Sequence, residues 1–206
     1  MSFTSAAGDK AFRAAVAAIE EASAVEVVVA VRAYARRWMV QHMVVGLIAA
    51  IAVLFYTVLF ELEAWAVLVY PLVTGLLSTL IVEYVPPLYR FLVPVHVRES
   101  HVVEAARALF VERKVHATRD RTGMLVFIAV RARTCEIVAD LGLEAAIGQA
   151  TIDDYAAKIR AAIPRGAEAT ARVIADFAPA LAAKLPRKHD DTNELPDAPI
   201  VVSPEV

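Results

Sequence analysis

The sequence predicts an α/β fold: a small sheet of three to four strands flanked by helices, with a two-helix transmembrane hairpin inserted in it. Two observations carry this. Short β-branched runs at residues 24–31, 124–130 and 135–140 lie between amphipathic helical patterns. Between the first and second of these runs stand two long apolar stretches, residues 43–60 and 64–82.

Residues 9–22 place Phe12, Val16 and Ile19 at helical spacing, with Lys10, Arg13, Glu20 and Glu21 opposite. The run "AVEVVVAV", 24–31, has strand length and β-branched character. A helix and a strand in about 40 residues cannot bury a core alone, so their packing partners are expected beyond the hairpin.

The apolar stretches are 18 and 19 residues long, and only Glu61, Leu62 and Glu63 separate them. Each spans roughly 27–29 Å as a helix, the thickness of a bilayer's hydrocarbon core. Arg32, Arg36 and Arg37 precede the first stretch, Arg90 and Arg98 follow the second, and the turn carries only acids. The positive-inside rule then puts both termini in the cytoplasm, in a multi-pass protein of the bacterial inner membrane. Trp38, Trp65, Tyr84 and Tyr89 fall where aromatic rings favour the interface. His42 and Glu83 lie within a turn of it, where snorkelling accounts for them, and Pro71 and Gly75 are residues that can kink the second span and that bundle packing tolerates. The segment "MSFTSAAGDKAF" has neither the basic start nor the apolar core of a signal peptide.

Beyond the hairpin, residues 99–114 form an amphipathic helix with Val102, Val103, Ala106, Leu109 and Phe110 on one side. The loop 116–123 leads into "MLVFIAV", apolar throughout, as befits a central strand covered on both faces. The strand "CEIVAD" follows after "RART", too soon for a crossover, so it returns antiparallel. A short helix after Asp140, a helix 152–163 capped by Thr151, and a helix 166–185 interrupted at Pro179 complete the domain. The tail from Pro186, rich in proline and polar groups, is expected to be disordered. The domain boundaries are thus 1–37, 38–85, 86–185 and 186–206.

The order of "SAVEVVVAV", a helix, "RDRTGMLVFIAV", a tight turn and "CEIVADLGLEAAIG" resembles the TPM-domain family. Glu26, Gly123, Gly142 and Glu144 match its pattern of an opening acid, a turn glycine and a Gly-Leu-Glu-type turn. The resemblance covers about residues 5–40 and 98–185. It implies a TPM-like sheet and either of two roles: assembly or repair of membrane complexes, or acid-phosphatase chemistry with a divalent cation. Many members carry a signal peptide and a C-terminal anchor, whereas here the anchor lies inside the domain.

Strand directions bring Glu26, Asp120, Asp140 and Glu144 to one rim, with Arg119 and Arg121 alongside. Such oxygen ligands suit Ca²⁺ or Mg²⁺. Because the first strand leads toward the membrane, this rim is expected to face the cytosol. Acids beside a helix start are equally favoured by the helix dipole and by turn chemistry.

Elsewhere the chemistry is sparse. The single cysteine, Cys135, excludes an internal disulfide or a multi-cysteine zinc site, and reads as a buried thiol. His96 and His101 are five apart, not a helical ligand spacing, and His116 and His189 stand alone. A net charge of −2 argues against a nucleic-acid partner. The expected partners are the lipid bilayer and other membrane proteins. The leading expectation is a binding or assembly factor, and the alternative a cation-dependent phosphatase.

Overall fold

The computed structural model describes residues 3, 5–33, 39–84, 95–187 and 200–202. The chain divides into two compact units, one joining Met1–Ala35 to Arg98–Val206 and the other comprising Arg36–Val97. Arg36, Arg37, Trp38, Tyr89, Arg90 and His189 lie outside the described residues, as do the side chains of Glu83, Tyr84 and Arg98.

In the first unit, α1 (Ala6–Ala22) starts where the Ser5 hydroxyl accepts the Gly8 N–H at 3.2 Å. Its stripe of Phe12, Ala15, Val16 and Ile19 is buried, while Asp9 and Arg13 pair at 2.8 Å on the other side. Strand β1 (Glu26–Arg32) runs parallel to β2 (Gly123–Ala129), in register from Glu26 opposite Gly123 to Arg32 opposite Ala129. Strand β3 (Thr134–Ala139) returns antiparallel to β2.

All seven β2 residues are buried, and their alternation separates two cores. Met124, Val126 and Ile128 meet Phe12, Val16 and Ile19, together with residues of α6 (Gln149–Ala162), α7 (Ala167–Ala175) and α8 (Ala178–Lys184). Leu125, Phe127 and Ala129 face Val102, Ala106 and Leu109 of α4 (Val95–Glu112). The sheet is therefore covered on both faces, which is why its middle strand tolerates no polar residue.

Three details depart from the expectations. Residues 200–202 of the tail form a strand, β4 (Ile200–Val202), parallel to β1 opposite Ala30–Arg32, giving the order β3-β2-β1-β4. The β-branched "IVV" finds a template in the edge of β1; the remainder of the tail, 188–199 and 203–206, lies outside the described residues. Thr151 does not cap a helix: Gly148, at φ 80°, ends α5 (Leu141–Ile147) and opens α6. The break expected near Pro179 falls just before it, at Asp176 and Phe177, with the proline in the first turn of α8, where its missing N–H costs least.

In the second unit, α2 (Met39–Leu59) and α3 (Ala64–Tyr84) pack against each other. Gly46, Ala50, Gly75 and Thr79 line the seam. A Cβ at Gly46 would collide with Thr79 Oγ1 and come 2.6 Å from the Gly75 carbonyl, so glycine permits this approach. The Thr79 hydroxyl donates to the Gly75 carbonyl at 2.9 Å, and Thr57 and His42 are buried. The turn closes through Glu61 at φ 49°, with the Leu62 N–H donating to the Thr57 carbonyl. Helix α3 continues through Pro71. The outer surface is apolar, with Leu47, Ile48, Phe55, Leu68, Leu72 and Leu76 exposed.

Candidate functional site

The rim formed by the starts of β1 and β2 and the end of β3 is where the expected acidic residues gather. Glu26 opens β1 opposite Gly123, and the Asp140 N–H donates to the Gly123 carbonyl at 2.9 Å. The loop before β2 folds tightly over this end. The Thr122 hydroxyl donates to the Ala24 carbonyl at 2.7 Å, and Thr118 Oγ1 accepts the Thr122 N–H at 3.1 Å. A Cβ at Gly123 would strike the Val115 carbonyl, and one at Gly142 would sit 2.7 Å from that of Arg121. Both glycines are there for close backbone approach.

Asp140 is the centre of this arrangement, and its side chain is 3% exposed. Its Oδ1 accepts the Leu141 N–H at 2.8 Å, capping α5, and Arg121 Nε lies 3.1 Å from Oδ1 and 2.9 Å from Oδ2. Arg121 itself adopts the left-handed conformation at φ 59°, and its carbonyl accepts the Gly142 and Leu143 N–H groups. The carboxylate is thus enclosed by its own cap and by a guanidinium.

The other three acids do not join it around a common point. Asp120 and Glu144 are exposed and Glu26 is half-buried. Among the described residues, no group of three His, Cys, Asp or Glu side chains is placed to hold a metal ion. Asp140 instead pairs with Arg121, and the four acids are not gathered as a Ca²⁺ or Mg²⁺ site among the described residues. In this structure "VADLGLEAAIG" forms a helix start fastened to the preceding loop.

Two further clusters were not legible from motifs. Arg160 reaches from α6 to the edge of β3, where it donates to the Cys135 carbonyl at 3.3 Å and stands 3.7 Å from Glu99. Partial burial pushes the Glu136 carboxyl above its ordinary range, partly offset by Arg107 and Arg160. At the other edge, Glu20 accepts the Val27 N–H at 3.1 Å. No sequence periodicity signals either contact. Burial pushes the Cys135 thiol far up, so it stays protonated, the opposite of what a nucleophile requires. His101 lies 3.5 Å from Glu104 on its own helix.

Comparison with known proteins finds no matching family model and no matching curated protein. A solved structure shares the fold. It is the NMR structure of BA42 protein from the psychrophilic bacteria Bizionia argentinensis sp. nov.. The TM-score is 0.60 at 17% sequence identity, over 97% of this chain and 96% of that one. At that identity, the likeness to BA42 is a likeness of fold.

Proposed function

We propose that this is an integral protein of the bacterial inner membrane, crossing it twice through α2 and α3 with both termini cytoplasmic. On this reading its α/β unit, TPM-like by sequence resemblance, is a binding or assembly factor for other membrane proteins. The observation that carries the membrane assignment is the apolar surface of the α2–α3 pair. Segments His42–Leu59 and Ala64–Val82 have mean hydropathies of 2.3 and 2.0 and are each 17% buried. A soluble core helix of that composition would be mostly covered. Here large apolar side chains, chiefly Leu, Ile, Val and Phe together with Trp65, Tyr56 and Tyr70, are turned outward, while Thr57 and Ala66 are buried and Gly46, Gly75 and Thr79 meet at the seam. Lipid is the solvent that suits this distribution.

Binding is favoured over catalysis by the state of the reactive groups. Asp140 is committed to Arg121 and a helix cap, and the Cys135 thiol is buried and protonated. The phosphatase alternative would draw on the exposed Glu144 and the other acids of this rim, which among the described residues do not gather into a group that could hold a metal ion, so it is the weaker reading.

Alkaline carbonate extraction of cell membranes tests the membrane assignment. The full chain is expected to stay in the pellet. Release of the full chain into the supernatant would contradict the proposal.

A further inference from the structure

The two edges of the sheet are guarded differently. At β3, the Arg160 guanidinium occupies the Cys135 carbonyl. Along β1 the cover comes in three pieces. The Ala24 N–H donates to the Leu185 carbonyl at 2.9 Å, beside a bridge between Ser23 and Pro186. The Val27 N–H is taken by Glu20. Ala30, Val31 and Arg32 are instead paired by the three-residue β4 from the tail.

The first cover comes from the residues that directly follow α8 and the second from α1, and both helices have buried faces in the main core. The third differs: it is backbone pairing over three residues, joined to Arg187 by the twelve residues 188–199. An edge whose N–H and C=O groups are met by a strand, not by a fixed side chain, is a template for any extended segment. A tethered strand on such an edge competes with outside segments through effective concentration alone, on the order of millimolar.

We propose that the edge of β1 at Ala30–Arg32 is a strand-accepting site, closed in cis by β4 and opened to an extended apolar segment of a partner protein. The chain's own occupant shows the chemistry accepted: a β-branched run, Ile200, Val201 and Val202, added parallel to β1. Main-chain bonds supply the attachment, as in other cases of strand addition. This deepens the binding reading above and rests on it for the existence of a partner. The edge can be tested by itself, so its failure would leave the membrane assignment standing.

The test uses the full chain in detergent micelles and a fluorescein-labelled peptide of residues 197–204, "DAPIVVSP". Val201→Pro with Val202→Pro in the full chain removes two of the three backbone N–H groups of the tail strand. Fluorescence anisotropy is expected to show the peptide binding this variant at least tenfold more tightly than the unmodified chain. A peptide carrying the same two prolines is expected to bind neither. A chain ending at residue 199 is the second variant, expected to match the first. Equal affinity for modified and unmodified chains, or no binding to either variant while their thermal unfolding is unchanged, would overturn the proposal. A concentration-dependent dimer that accounts for all the binding would also overturn it, by assigning the edge to a second copy's tail.

Discussion

Replacing Phe12 by alanine tests whether the first 35 residues and those beyond Arg98 share one core. Phe12 is 0% exposed in the middle of α1, with its ring 6.1 Å from that of Phe3. It belongs to the same apolar cluster as Met124 and Val126 of β2, Ile174 of α7 and Leu181 of α8. Removing a fully buried phenylalanine costs about 3–5 kcal/mol, because the transfer term is joined by that of the cavity. That raises the unfolded population by roughly two to three and a half powers of ten. With a urea dependence of about 1–3 kcal/mol per molar, the midpoint falls by roughly 1–5 M. The assay is pulse proteolysis of the full chain in urea, following the fragment from Arg98 to Arg187 through a C-terminal tag. If that fragment's midpoint does not move, the two segments do not share a core and the split-domain account is wrong.

Two further outcomes follow from the rim and the β3 edge. Asp140→Ala should cost about 1–2 kcal/mol of stability through loss of the α5 cap, and millimolar Ca²⁺ or Mg²⁺ should leave the melting temperature of the unmodified protein unchanged. A metal-induced rise abolished by Asp140→Ala would restore the cation site. Burial raises the folded-state pKa of Glu136, so the folded protein holds that proton to higher pH than the unfolded chain. The group's favourable contribution is therefore present below the unfolded value, about 4.3, and is lost as pH rises through the folded one. Glu136→Gln should accordingly gain stability relative to the unmodified protein between pH 4 and pH 7, and parallel stability profiles would contradict this.

The helices and long strands were legible because their residues are buried in regular patterns. "MLVFIAV" is apolar at every position since both faces of β2 are covered, and the short link "RART" left β3 no path but an antiparallel return. The antiparallel return placed Asp140 beside the start of β2, and the helical crossover from β1, which requires a parallel pairing, placed Glu26 at the same end. What escaped was decided by single tertiary partners. The fate of Asp140 depends on Arg121, 19 positions earlier and set in a left-handed conformation that no local pattern announces. Strand β4 is a three-residue piece of a proline-rich tail, and its pairing depends on an edge 170 residues away in the chain. Gly148 displaced Thr151 as the junction between α5 and α6 because a backbone at φ 80° suits glycine, while threonine's side chain offered only a competing cap.

The central claim is a membrane hairpin whose α/β unit stays in the cytoplasm, and cysteine labelling in intact cells tests it most directly. Cys135 is fully buried and protonated, so the native thiol should stay silent towards a membrane-impermeant maleimide. Glu63 lies in the exposed turn between α2 and α3, and Lys184 is exposed at the end of α8. Glu63→Cys should be labelled from the periplasmic side, and Lys184→Cys only after the inner membrane is permeabilised. Labelling of Lys184→Cys in intact cells, with Glu63→Cys protected, would contradict the account.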